Sequence, residues 1–106
     1  MAGYVTYRFL IDTGADFSLA PRRLAQRIGL DWDRLPEGHV SGIERGGLPA
    51  HLGLLPVRLG GRGFTIRCLF TDLPSAPFIL SRADFLDRFM LTIDQREQRI
   101  ILTEAL

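Results

Sequence analysis

An aspartate ends an apolar segment in the sequence Phe-Leu-Ile-Asp-Thr-Gly-Ala-Asp, residues 9–16. An ionised carboxylate beside apolar surface costs free energy unless something compensates it. Asp12 therefore either caps a turn or takes part in chemistry. The turn interpretation is reasonable, because aspartate accepts backbone N–H bonds and glycine supplies the backbone angles that turns need. Asp-Thr-Gly alone does not decide between the two.

The elements around this motif are short. From Val5 to Ile11, apolar residues alternate with polar ones, which predicts a strand leading into the motif. A second short strand is expected over residues 17–20. Pro21 then stands at a favoured first position of a helix, and Gly29 is a typical residue to end it. The motif would thus lie between two strands, with a helix following.

Glycine-rich turns divide the middle of the chain. Residues 39–43 and 50–59 are predicted to form the two arms of a hairpin with its tip at residues 44–47. Pro56 lacks the N–H that a strand ladder needs, which predicts an edge position. In the next strand, alternation places Cys68 on an apolar face, where a free cysteine packs as a small hydrophobe.

The last third of the chain predicts a short strand over residues 78–80, a helix over 81–89, and two closing strands over 90–93 and 98–103. Ser81 is a favourable N-cap for that helix, and Asp84 stands near the spacing of a capping box. The predicted fold class is therefore a mostly β domain with one or two short helices.

Composition limits the class of protein. A chain of 106 residues predicts one domain. A net charge of +1, with scattered charges, argues against a nucleic-acid partner, and no apolar run reaches the length of a membrane span. A single cysteine excludes an intrachain disulfide and favours a reducing, cytoplasmic location. The start, Met-Ala-Gly, is not a signal peptide, which leaves open a membrane anchor upstream.

Neither a metal nor a cofactor is predicted. His39 and His51 have no ligand spacing and no cysteine cluster near them. The Gly-Gly-Arg-Gly segment at residues 60–63 has neither the spacing nor the lysine of a phosphate-binding loop.

Taken together, three segments resemble the single-domain retroviral-type, or retropepsin-like, aspartic proteases, including bacterial members. The matching segments are Leu-Ile-Asp-Thr-Gly-Ala-Asp at 10–16, Val-Ser-Gly-Ile-Glu-Arg-Gly-Gly at 40–47, and Phe-Ile-Leu-Ser-Arg-Ala-Asp-Phe-Leu at 78–86. Their order and spacing fit from about residue 5 to residue 103. The resemblance implies a closed-barrel-like acid protease fold, with residues 1–106 forming a single retropepsin-like lobe.

The resemblance also implies an activity, hydrolysis of peptide bonds by an aspartic endopeptidase without a cofactor. In this chemistry two carboxylates share one proton, so that one activates a water and the other protonates the amide. Two carboxyls held that close do not both ionise easily. The chain has one Asp-Thr-Gly. The active unit is therefore expected to be a homodimer, in which a two-fold axis brings the two copies of Asp12 together.

Further site residues follow from the resemblance. Thr13 would hydrogen-bond across the dimer, Gly14 would let the backbone pass close to a polypeptide substrate, and Ala15 and Asp16 would line the cleft. Arg82 would pair with Asp16. A flap would close over the substrate, formed by Ser41, Gly42, Ile43, Glu44, Arg45, Gly46 and Gly47. Candidate pocket walls, which are equally consistent with ordinary core, are Leu10, Ile43, Ile79 and Leu80.

Two departures from the family pattern leave alternatives open. Ser81 stands where the family usually has glycine. Either its Cβ displaces the loop of Asp12 and weakens activity, or the serine is simply the N-cap of a helix. The segment before Asp12 is short, so the C-terminal strand would make most of the dimer interface. The alternative function is a catalytically weak or inactive module for dimerisation or peptide binding. A third possibility is a monomeric β domain with an accidental turn motif.

Overall fold

A computed structural model describes residues 6–40 and 48–104 of the chain. Within these ranges the chain is mostly β, as predicted, and 3₁₀ turns lie at Trp32–Arg34 and Leu86–Arg88. The regular elements, in chain order, are β1 Leu10–Ile11, β2 Ser18–Pro21, α1 Arg22–Arg27, β3 Glu37–Val40, β4 Leu48–Leu59, β5 Arg62–Thr71, β6 Ile79–Leu80, β7 Phe89–Asp94 and β8 Arg99–Glu104.

Six of the strands form one sheet that curls into half a barrel, in the order β1-β6-β2-β5-β4-β3. Two neighbouring pairs are parallel, β1 with β6 and β2 with β5. The long β4–β5 hairpin runs antiparallel from the pair His51–Phe70 to the pair Leu59–Arg62. Strands β7 and β8 pair only with each other in the part of the chain described.

The core lies inside the curled sheet. Strand β5 contributes Ile66, Cys68 and Phe70, all fully buried, and Phe85 packs with them from the segment before β7. Cys68 is therefore a core residue, as alternation predicted. Its burial raises the pKa of the thiol. Helix α1 buries Leu24 and Ala25.

Most of the predicted elements are present, with shifted ends. Before Asp12 the regular strand is only Leu10–Ile11, yet Tyr7 and Phe9 are half-buried and Arg8 is exposed, as the alternation predicted. Among the described residues, β3 pairs with β4 over residues 48–51. Pro56 therefore lies on the half of β4 that has a partner on one side, which agrees with its predicted edge position.

The predicted helix over residues 81–89 is wrong. The chain turns irregularly from residue 82 and makes only the short 3₁₀ turn Leu86–Arg88. Asp84 has a φ of 67°, which lies outside the right-handed helical region. Its carboxylate does not serve as a capping-box partner but binds Arg67 of β5. A tertiary ion pair has overridden the local helix signal.

None of the helices in the described ranges is long and apolar enough to cross a membrane.

Candidate active site

The backbone of Asp12 is fixed by the parallel pairing of β1 with β6. The Leu10 N–H donates to the Phe78 carbonyl at 2.8 Å, and the Asp12 N–H donates to the Leu80 carbonyl at 2.9 Å. Strand β1 thus delivers Asp12 to the end of its neighbour, where the residue is half-buried. The carboxylate stands at the boundary between the core and solvent.

The turn that follows binds the carboxylate itself. The Gly14 N–H donates to Asp12 Oδ1 at 2.9 Å. A Cβ at position 14 would lie 3.3 Å from that oxygen, closer than ordinary contact, so glycine lets the turn approach it. Thr13 and Gly14 are exposed. Asp12 therefore caps its own turn and still faces solvent, so the two interpretations of the motif are compatible.

Residues 15 and 16 are tied to the segment after β6. The Ala83 N–H donates to the Asp16 carbonyl at 2.8 Å, and the Arg82 Nε lies 3.4 Å from the Ala15 carbonyl oxygen. The Arg82 guanidinium also contacts the Asp16 carboxylate, the partner that the resemblance implied. Both side chains are exposed, so this ion pair alone contributes little to stability. The backbone hydrogen bond is the more robust connection.

Ser81 is fully buried behind the turn of Asp12. Its N–H donates to Ser18 Oγ at 3.1 Å, whereas its own hydroxyl oxygen has no hydrogen-bond partner among the residues described. The neighbouring bond from the Asp12 N–H to the Leu80 carbonyl is intact. The side chain therefore fits without breaking the attachment of Asp12, and it does not act as an N-cap.

The flap and the pocket walls of the expected site are described only in part. The seven flap residues, Ser41 to Gly47, lie outside the described residues, although their flanking strands β3 and β4 are antiparallel neighbours. Of the candidate pocket walls, Leu10 is 65% exposed, Ile79 and Leu80 are half-buried, and Ile43 lies outside the described residues.

The sequence pattern does not predict one contact near the Asp-Thr-Gly turn, that between Arg67 and Asp84. Arg67 makes two side-chain hydrogen bonds with the Asp84 carboxylate, and its guanidinium lies 5.2 Å from the ring centroid of Phe17. Alternation along β5 places Arg67 on the polar face, which signals exposure but no partner. The spacing of Asp84 from Ser81 instead predicts a local capping role for Asp84. Nothing in the sequence pattern predicts that Arg67 and Asp84 are in contact.

Both histidines have ordinary surroundings. His51 stacks on Trp32 with ring centroids 4.1 Å apart, and its Nδ1 lies 2.9 Å from the Trp32 carbonyl oxygen. His39 is exposed on β3. Within residues 6–40 and 48–104, no group of three or more His, Cys, Asp or Glu side chains is arranged to hold a metal ion.

A half-barrel of mostly β structure, with an Asp-Thr-Gly turn at the end of a parallel strand pair, defines a lobe of the retropepsin-like type. Residues 1–95 match the family model described as aspartyl protease. The chain therefore belongs to the aspartyl protease family.

Two solved structures are similar to the chain. A crystal structure of a retropepsin-like aspartic protease from Rickettsia conorii is 27% identical, with a TM-score of 0.65 over 89% of this chain and 70% of that one. EIAV protease in complex with the inhibitor HBY-793 is 29% identical, with a TM-score of 0.47, 74% of this chain and 72% of that chain being covered. A search of curated proteins finds no match.

Proposed function

We propose that the chain is an aspartic endopeptidase that works as a homodimer, in which each subunit contributes one Asp12. The observation that carries this proposal is the attachment of Asp12. Its N–H is bound to the Leu80 carbonyl, and its Oδ1 accepts the Gly14 N–H. A carboxylate that accepts a backbone N–H at a strand end, half open to solvent, is positioned to act on a substrate rather than on the core.

Two such carboxylates would have different roles in hydrolysis, one as a base and the other as an acid. When they share one proton, the ionised group accepts a proton from the attacking water, and the protonated group supplies one to the amide nitrogen that leaves. The water oxygen forms the new bond to the carbonyl carbon, and the C–N bond breaks. Activity is therefore expected to require one proton shared between the two carboxyl groups.

The second carboxylate is expected to come from a second chain. Five other aspartates pair with arginine in the single chain: Asp16, Asp31, Asp72, Asp84 and Asp94. The remaining two, Asp33 and Asp87, follow no Asp-Thr-Gly strand end. A two-fold axis, in contrast, places the two copies of Asp12 in equivalent surroundings. It would also bring the copies of Thr13 close enough to hydrogen-bond across the interface.

The substrate class is an extended polypeptide. Thr13 and Gly14 are exposed next to Asp12, and Ala15 and Asp16 follow on the same turn. Backbone hydrogen bonds from an added strand would supply affinity, and pockets for alternate side chains would supply selectivity. We further propose, from the family resemblance, that residues 41–47 act as the flap over this strand.

The test is cleavage of an unfolded protein at mildly acidic pH, with and without pepstatin, beside a mass measurement in solution. Asp12→Asn is expected to abolish cleavage and to leave the dimer and the melting temperature unchanged. Asp33→Asn, which changes an exposed aspartate on the Trp32–Arg34 turn, is the matched control and is expected to cleave like the parent. Cleavage by Asp12→Asn at the parent's rate would exclude the proposed mechanism.

A further inference from the structure

Three segments beside the proposed catalytic turn are joined in a closed ring of contacts. Residues 15–18 bind the turn at 81–84 through the bonds from Ala83 N–H to the Asp16 carbonyl and from Ser81 N–H to Ser18 Oγ. Residues 18–21 also pair with β5 in the parallel sheet, where Ser18 lies opposite Cys68. Only the link from the 81–84 turn to β5 is needed to close the ring.

Asp84 supplies that link. Its Oδ2 accepts the backbone N–H of Arg67 at 2.9 Å and the Nε–H of the same residue at 2.7 Å, while its Oδ1 accepts from Nη2 at 3.1 Å. Such bidentate pairs fix orientation as well as distance. The Arg67 guanidinium lies in turn against the ring of Phe17, which directly follows Asp16. One arginine thus contacts both of the other segments.

The backbone at Asp84 is consistent with a constrained position. Its φ of 67° lies in the left-handed region, which aspartate and asparagine tolerate better than other non-glycine residues. Arg88 Nε also donates to the Asp84 carbonyl, at 2.6 Å. A residue bound through its carboxylate and its carbonyl, in an uncommon conformation, indicates a turn whose shape is determined by its partners.

We propose that Arg67 and Asp84 are positioning residues for Asp12: their ion pair holds the 81–84 turn against residues 15–18 and so fixes the Asp-Thr-Gly turn that these residues follow. The inference rests on the proposed function, because it concerns the same catalytic aspartate. Neither residue is expected to touch the substrate. Loosening the pair would displace Asp12 without removing a binding contact, and misplacement of a reacting group lowers the rate of the chemical step.

The experiment compares Asp84→Asn, Arg67→Gln and the double variant with the parent. Asparagine keeps the tolerance for positive φ and can still accept the Arg67 backbone N–H, so the fold is expected to survive. Asp72→Asn is the matched control, because it alters another aspartate that pairs with an arginine, Arg22, at 3.2 Å. Assays are run well below the melting temperature and at concentrations where activity is proportional to enzyme.

We expect kcat to fall about tenfold in Asp84→Asn, with KM changed by less than about twofold. The double variant is expected to be no worse than the worse single one, because the pair acts as a unit. Amide hydrogen exchange at Ser81 and Ala83 should become faster in Asp84→Asn and stay at the parent's rate in Asp72→Asn. A purely global loss of stability would instead leave the kcat of the folded enzyme unchanged.

Several outcomes would overturn the inference. These are an unchanged kcat in Asp84→Asn, an equal loss in Asp72→Asn, or a loss confined to KM. If the parent itself does not cleave, the proposed function fails. The exchange rates of Ser81 and Ala83 then still decide whether the ion pair holds the turn, and unchanged exchange would exclude it.

Discussion

The turn of Asp12 and the C-terminal hairpin formed by β7 and β8 are held by the single chain to very different degrees. The turn is bound on three sides, by β6, by the 81–84 segment and, through Phe17, by Arg67. The hairpin pairs only with itself in the described part of the chain. At its far end Ile93 is 71% exposed and Ile100, its cross-strand partner, is 49% exposed.

This difference separates the part of the molecule that contacts within a single chain hold in place from the part that a single chain leaves exposed. The geometry around each Asp12 is built from residues of its own chain. The hairpin, in contrast, presents apolar side chains to solvent, and clustered apolar surface of this kind commonly marks a contact with another molecule. The prediction that the C-terminal strand makes most of the dimer interface fits this surface. The following predictions test the comparison, from the largest expected effect to the smallest.

The largest effect is expected from a charge on the hairpin. If Ile100 lies in the dimer interface, Ile100→Glu should convert the dimer into a monomer and lower cleavage by more than about tenfold at low enzyme concentration, because an unpaired charge is costly to bury. Sedimentation and a cleavage assay measure the two effects together. The control is Leu54→Glu, which places the same charge on β4 at a leucine that is 60% exposed. It is expected to leave both properties unchanged.

A dimer of Ile100→Glu with the parent's activity would place the interface elsewhere. The exposed apolar side chains of the hairpin would then have no role in dimerisation. Equal losses in Ile100→Glu and Leu54→Glu would instead indicate a general effect of added charge.

The second prediction concerns the ion pair of Arg67 with Asp84, which we propose to hold the Asp-Thr-Gly turn. Arg67 donates hydrogen bonds to the Asp84 carboxylate and, with a further contribution from Arg88, holds the pKa of this carboxyl below its ordinary value. Because the pKa is lowered in the folded state, the stabilisation is complete above the unfolded pKa, about 3.9, and is lost as the pH falls below it.

Urea unfolding between pH 7 and pH 3 measures this contribution. The stability advantage of the parent over Asp84→Asn should be constant at the upper end and should shrink below about pH 4. Arg67→Gln is the control, because removing the partner should remove most of the same dependence on pH. An advantage that does not vary with pH would show that the ionised carboxylate is not what stabilises the turn.

The sequence predicted the turn of Asp12 better than the surroundings of the β7–β8 hairpin. Strand alternation and the Asp-Thr-Gly spacing placed Asp12 at a strand end, because a period of two and a turn signal are both local properties. The contact between Arg82 and Asp16 followed from the family resemblance. The contact between Arg67 and Asp84 did not, since it joins residues 17 positions apart that carry no shared pattern.

The hairpin illustrates a different limit. Ile100, Ile101 and Leu102 are consecutive in β8, so this strand has apolar side chains on both faces. Periodicity reports which side chains avoid water, but not which molecule covers them. In the described chain only Leu102 of these three packs against the core. The error at residues 81–89 has a related cause, because the capping signal is local and the competing ion pair is not.

The smallest effect is expected at Ser81, whose buried hydroxyl has no partner among the described residues. Ser81→Ala removes the unpaired group and keeps the Cβ, so it should raise the free energy of unfolding by about 1 kcal/mol in urea titrations. Ser81→Gly should change kcat by less than about twofold, because the Asp12 N–H keeps its bond to the Leu80 carbonyl beside the serine. A large gain of activity in Ser81→Gly would favour the alternative of a catalytically weakened module. A loss of stability in Ser81→Ala would show that the hydroxyl has a hydrogen-bond partner outside the described residues of the single chain.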